Sequence, residues 1–160
     1  MRWIWIDKFT SFEHAVSATA IKNVTLAEEH LHDLYPAFPI VPHSLILEGM
    51  AQTAGILVGE VSNFSQKVIL AKVGKAVFHR IVRPGETITF HARIDQISEQ
   101  GASTSGTAKV GEDLVAEIEI MFSHIDQNMA GMKFPEHNFV FTEQFSSLLS
   151  SYKDALKVML

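Results

Sequence analysis

Glu48 stands inside the most apolar segment of the chain, Ser44-Leu45-Ile46-Leu47-Glu48-Gly49-Met50-Ala51-Gln52-Thr53-Ala54-Gly55-Ile56-Leu57-Val58. A carboxylate in such a place is costly to bury unless it is hydrogen-bonded or protonated. Desolvation is expected to raise its pKa toward that of a group that holds and donates a proton near neutral pH. Gln52 follows one helical turn later on the same face, at the spacing for a side-chain hydrogen bond. The alternative is that Glu48 faces a water-filled crevice or pairs with an arginine or lysine. The start of the same segment offers a second group. Free N–H groups after Pro42 form a hydrogen-bond site for a carbonyl oxygen or a developing enolate.

Of the eight histidines, His43 has the best position for a general base. At a helix start the dipole disfavours imidazolium and keeps the ring neutral at pH 7. The alternative is that His43 caps the helix or narrows a pocket. His32 falls on a short helix and points elsewhere. His30 and His32, two apart, face different ways, so they do not form a metal pair. His79, His91, His124 and His137 read as ordinary strand or surface residues. With no cysteine there is no disulfide framework, zinc-thiolate site or thiol nucleophile. No metal and no cofactor are expected.

The elements that must position Glu48 follow from periodicity. The segment 44–58 is too long for a strand and rich in Leu, Met, Ala, Glu and Gln, so it reads as a helix buried nearly all round. It is too short and too interrupted for a membrane span of about 20 residues. Before it, residues 14–24 alternate as a half-buried strand. Thr25-Leu26-Ala27-Glu28 reads as a capping box opening a short helix that ends near Asp33. Pro36, Pro39 and Pro42 make residues 34–42 an extended loop. After the helix, Ile88, Phe90, Ala92 and Ile94 share one strand face, and so do Ala116, Ile118, Ile120 and Phe122. Turn signals at Pro84-Gly85, Gln100-Gly101 and Gly111-Glu112-Asp113 separate adjacent strands of an antiparallel meander. The fold class is α+β, a sheet wrapped around a helix. Residues 1–125 form one domain, 126–141 a linker and 142–160 an amphipathic helix capped by Thr142. Phe145, Leu148, Leu149, Tyr152, Leu156 and Met159 form the apolar stripe of that helix.

Composition bounds the rest. The chain has 160 residues, of which 47% are hydrophobic, and a net charge of −5, which suit a single core and argue against disorder and general nucleic-acid binding. The N-terminus is interrupted by charge too soon for a signal peptide, so a cytoplasmic location is expected. From Val61 to Gly85 there is no acid, while Lys67, Lys72, Lys75, Arg80 and Arg83 are basic. This local basic stretch on an acidic chain suggests an anionic partner. The alternative is a solvated strand face balanced by acids elsewhere.

The stretch Asp33-Leu34-Tyr35-Pro36-Ala37-Phe38-Pro39-Ile40-Val41-Pro42-His43-Ser44-Leu45-Ile46-Leu47-Glu48-Gly49-Met50-Ala51-Gln52 resembles the signature of the β-hydroxyacyl-acyl-carrier-protein dehydratases of fatty acid synthesis. Ile69-Leu70-Ala71-Lys72-Val73, through Phe78 to Val82-Arg83-Pro84-Gly85-Glu86, is similar to the strand-and-turn pattern of that family. The resemblance spans about residues 14–124 and implies a hotdog fold, in which an antiparallel sheet wraps one long helix. In that family a histidine removes the C2 proton of a hydroxyacyl thioester. A carboxylate on the central helix of the other subunit protonates the departing hydroxyl.

Glu48 matches that carboxylate, and Gln52 matches the glutamine one turn on. The histidine position is Leu34 here. The glycine whose N–H holds the thioester carbonyl is His43, and Tyr35 and Ala37 replace a phenylalanine and a glycine. The resemblance therefore implies Glu48 and His43 at catalytic positions, with Leu34, Tyr35, Pro36, Pro42 and Gln52 around the substrate. It further implies a homodimer, or a higher assembly of dimers, acting on acyl carrier protein or coenzyme A thioesters. Lys72, Lys75, Arg80 and Arg83 would receive the carrier. The expected reaction is dehydration of 3-hydroxyacyl to trans-2-enoyl thioesters. The alternatives are a non-catalytic acyl-binding protein or inactive subunit of a heteromer, and a hotdog thioesterase in which Glu48 activates water.

Overall fold

The computed structural model describes residues 4–125, 128–129, 132–133, 140–141 and 143–159. Its strands are β1 (Lys8–Glu13), β2 (Ser17–Asn23), β3 (Lys67–Phe78), β4 (Thr87–Ile97), β5 (Gly101–Val110) and β6 (Asp113–Ile125). Its helices are α1 (Glu29–Asp33), α2 (His43–Val61) and α3 (Glu143–Met159), and two short strands, β7 (Asn128–Met129) and β8 (Met132–Lys133), pair antiparallel. The first six strands form one antiparallel sheet in the order β1-β2-β4-β5-β6-β3. Helix α2 lies against this sheet and touches β2, β3, β4, β5 and β6, while α3 packs on β1. This is the hotdog arrangement, α+β, with α2 as its central helix.

Alternation accounts for the sheet face that meets the helix. Ile88, Phe90 and Ala92 of β4 and Ala116, Ile118, Ile120 and Phe122 of β6 are buried, as their spacing predicts. Helix α2 is longer than expected and is not buried all round. Residues 52–60 are buried throughout, whereas His43 and Ser44 are exposed and Leu45, Leu47, Glu48 and Ala51 are half-buried. Close approach of helix to sheet depends on small residues. A methyl group on Gly49 would lie 2.3 Å from the Phe90 ring, and one on Gly106 would lie 2.5 Å from Met50 Sδ.

Three local expectations are corrected. The strand predicted over 14–24 begins only at Ser17, because His14–Val16 is the β1–β2 turn with Ala15 at φ 58°. Thr25 does not cap α1. Its hydroxyl accepts from Ala27 N–H at 3.3 Å, and the helix starts after Glu28 without a side-chain cap. The Pro84-Gly85 turn does not join neighbours, since β3 is the outer strand beside β6 while β4 lies inside between β2 and β5. The segment expected to be a linker contains the β7–β8 hairpin. Thr142 lies outside the described residues, as do the side chains of Leu156 and Met159. Of the predicted α3 stripe, Leu149 is buried and Phe145, Leu148 and Tyr152 pack against the core.

The connection from β3 to β4 is held by Glu86. Its carboxylate accepts from Arg83 N–H at 2.7 Å and from the Arg80 guanidinium. Burial alone would raise its pKa, but these hydrogen bonds and the two arginine charges outweigh it and lower the pKa below the ordinary carboxylate range. The sign follows directly. A depressed folded-state pKa contributes stability that is present above the unfolded-state value and is lost as pH falls through the folded one. Glu86→Gln should therefore lower stability by at most about 1 kcal/mol at neutral pH, because solvent reaches the pair. The difference from wild type should vanish in acid denaturation series below the folded-state pKa. Gly49→Ala should cost about 1–3 kcal/mol in urea unfolding through overpacking against Phe90. Combining it with Phe90→Leu should recover part of that loss, as expected of residues in contact.

Candidate active site

Glu48 lies in the second turn of α2, half-buried, and Gln52 orients it. Gln52 Nε2 donates to Glu48 Oε1 at 2.7 Å, while Gln52 Oε1 accepts from Trp5 N–H at 2.8 Å. The amide of Gln52 is thereby fixed at both ends, since only its nitrogen donates and only its oxygen accepts. The expected helical pairing of Glu48 and Gln52 is present. The backbone before β1 supplies the far anchor, which the sequence does not reveal. Among the described residues Glu48 has no arginine or lysine partner, which leaves Oε2 open.

A cavity of about 280 Å³ opens beside this carboxylate. Its floor is the α2 face formed by Glu48, Ala51, Gln52, Gly55 and Ile56. Val68–Leu70 of β3 and Phe122 of β6 form a second wall, and Val140, Phe141 and Phe145 form a third. The lining is apolar apart from Glu48 and Gln52. A single carboxylate at one end of a greasy pocket can exchange a proton with a ligand whose tail is hydrocarbon.

The start of α2 provides hydrogen-bond donors. Pro42 precedes the first turn, and its carbonyl accepts from Leu45 N–H at 2.9 Å and Ile46 N–H at 3.4 Å. The N–H groups of His43 and Ser44 remain without partners among the described residues, at the positive end of a 19-residue helix. The His43 ring stacks flat on Phe78 at the end of β3, with centroids 4.2 Å apart and planes at 2°. It has no hydrogen-bond partner among the described residues. Val41 N–H donates to Val82 O at 2.9 Å, which ties the loop before α2 to the β3–β4 connection.

The loop residues that sequence reasoning placed around the substrate are on the surface. Leu34, the C-cap of α1, is 54% exposed and Tyr35 is 48% exposed. Pro36 lies in a turn closed by Phe38 N–H donating to Tyr35 O at 2.9 Å. His32 Nε2 is bonded to Leu26 O, which keeps it away from the cavity.

The basic residues divide into two groups. Arg80 and Arg83 flank a surface crevice with Leu26, Pro39 and Ile81, and Arg83 lies 4.6 Å over the Phe38 ring. Lys72 and Lys75 stand apart on β3, where Lys75 pairs with Glu117 at 3.7 Å. Lys67, at the start of β3, is buried. The alternative of charges balanced by acids thus holds for Lys75 and for Arg80, which pairs with Glu86.

One carboxylate escaped the sequence reading. Glu60, in the last turn of α2, is buried and bonded to Lys153 of α3 at 3.0 Å and to His14 of the β1–β2 turn. It anchors three elements and lies outside the cavity lining. The apolar run that marks the helix in the sequence ends at Val58, two residues short of it.

Comparison with known proteins agrees with the fold. Solved structures share the fold at low identity. A conserved Pseudomonas aeruginosa protein superposes with a TM-score of 0.62 at 16% identity, covering 74% of this chain and 87% of that one. A Streptococcus mutans protein solved with acetyl-CoA gives 0.63 at 13%, covering 78% and 93%. Sequence relatives are nearer. The 3-hydroxyacyl-[acyl-carrier-protein] dehydratase FabZ of Caldanaerobacter subterraneus subsp. tengcongensis is 37% identical over 121 residues, covering 75% of this chain and 86% of the relative. FabZ of Chlamydia pneumoniae is 40% identical over 129 residues, covering 78% and 84%. The FabA-like domain family matches residues 4–119. The chain therefore belongs to the FabA-like family of hotdog proteins, with FabZ dehydratases among its relatives.

Proposed function

We propose that this protein binds 3-hydroxyacyl thioesters and dehydrates them to trans-2-enoyl thioesters. The observation that carries the reading is Glu48, the one carboxylate among the described residues that line an apolar cavity, oriented by Gln52 and left with one oxygen open. In this scheme the His43 and Ser44 N–H groups hold the thioester carbonyl and stabilise the enolate. A base takes the C2 proton, and Glu48 gives its proton to the C3 hydroxyl. The C3–O bond breaks, the C2–C3 double bond forms and water leaves. With Leu34 at the family's histidine position, the imidazole of His43 is the base candidate. Tyr35, Pro36 and Pro42 line the approach.

The site is completed by a second copy of the chain. Edge strand β3 is 12 residues long and has a partner on one side only. Exposed Leu70, Val77, Ile81, Leu34, Tyr35 and Phe38 add apolar surface. An open edge with apolar flanks favours pairing with another strand. The substrate arrives on acyl carrier protein, whose acidic surface meets Arg80 and Arg83, while Lys72 and Lys75 offer a separate basic contact on β3. A coenzyme A thioester is the carrier-free equivalent.

A non-catalytic acyl-binding role is favoured by two specific observations: Leu34 cannot take a proton, and the His43 ring lies flat against Phe78. Purified protein should hydrate a trans-2-enoyl thioester, followed by loss of enoyl absorbance. Glu48→Gln and His43→Ala should each reduce the rate by about 10²–10⁴-fold. No turnover in the wild type, with activity arising in Leu34→His, would establish the non-catalytic reading. Release of free thiol would identify a thioesterase. Arg83→Ala should raise KM several-fold for the carrier-linked substrate and leave the coenzyme A substrate unchanged.

A further inference from the structure

We propose that Phe141, backed by Phe145, is the stop that limits how long an acyl chain the cavity admits. The inference rests on the reading of the cavity as an acyl site, and concerns a part of the chain beyond the residues 4–119 matched by the family.

The groove is written into α2. Ala51, Gly55 and Gly59 are spaced four apart and so lie on one face of the helix. They continue from Glu48 toward the C-terminal end. Over Ala51 and Gly55 there is open cavity. Over Gly59 there is none, because the Phe141 ring sits on the glycine. A methyl group added to Gly59 would lie 2.4 Å from Phe141 Cζ. The same groove thus begins at the carboxylate and is filled at its far end by the Phe141 ring, with Phe64 beside it 3.0 Å from the same methyl position. Along the helix axis, Ile56 is about 12 Å and Gly59 about 16 Å from Glu48, at 1.5 Å per residue. An acyl chain with its C3 carbon at Glu48 has the first distance available, and Phe141 withholds the remainder.

The stop is braced. Phe141 packs on Phe64 with centroids 4.9 Å apart. Helix α3, which carries Phe145, buries Leu149 and is tied to the end of α2 by Lys153 on Glu60. A ring held by a second ring and by a docked helix resists displacement by a flexible chain, since displacing it would expose apolar surface and open a void.

The test measures binding without turnover, using butyryl, octanoyl and hexadecanoyl pantetheine amides titrated into the full-length protein by calorimetry. Octanoyl should bind at least tenfold more tightly than hexadecanoyl in the wild type. Phe141→Ala should remove that gap, and Phe141→Leu should narrow it, which covers the case in which the alanine variant fails to fold. Gly55→Ala places its methyl 3.5 Å from Phe122, an ordinary contact. It should fold normally and weaken octanoyl while sparing butyryl. Equal binding of hexadecanoyl and octanoyl by the wild type, or an unchanged gap in both Phe141 variants, would overturn the stop and leave the acyl site standing. Failure of every amide to bind the wild type would overturn the acyl reading itself.

Discussion

A helix enclosed by a sheet must satisfy every charge it carries, and α2 carries two carboxylates. Each is met by a different device, and the difference separates chemistry from architecture. Glu60 is closed on both sides by Lys153 and His14, so its charge is neutralised where three elements meet. Glu48 receives one neutral amide hydrogen bond from Gln52 and keeps the rest of its capacity for the cavity. Leaving the buried Glu60 without its partners would be strongly destabilising, whereas the half-buried Glu48 depends on Gln52 for its orientation. The backbone before β1 and the helix α3 are consequently held in place by the polar groups of α2 as well as by apolar contact.

Close packing provides the other half of the arrangement. Gly49 admits the Phe90 ring and Gly106 admits Met50, which draws helix and sheet together over the first turns. Gly55 meets Phe122 at ordinary contact and leaves free volume in front of it. The same residue type therefore produces tight contact on one face of α2 and a cavity on another. Which result is obtained depends on what stands opposite: a bulky sheet residue in the first case, a thinner wall completed by Phe141 and Phe145 in the second.

The parts of the fold that were legible in sequence are those with unbroken period. β4 and β6 alternate cleanly and were placed with the correct faces inward. The pairing of Glu48 and Gln52 follows from helical spacing alone. β1 was missed because its pairing register shifts between Phe9 and Ser11, which breaks the alternation that marks a strand. β3 shifts register twice, at Leu70/Lys72 and Val73/Lys75, and shows no simple alternation either. The Pro84-Gly85 turn announces a reversal, but a turn carries no information about which strand will lie alongside. Glu60 was hidden by distance, since its partner Lys153 is 93 residues away. The resemblance of the loop and helix to a known family supplied what periodicity lacked around the site. It had nothing to offer on residues 140–159.

The hydrogen bond from Val41 to Val82 has a mechanical meaning. Val82 sits between Arg80 and Arg83, and Val41 is two residues before His43. The bond therefore welds the basic crevice to the open end of α2. Pro42, with its fixed φ, removes one of the few torsions by which the two might swing independently. Fast thermal motion of the crevice and of the donor N–H groups should accordingly be correlated. A load applied at the arginines therefore has a direct path to the helix end through this bond.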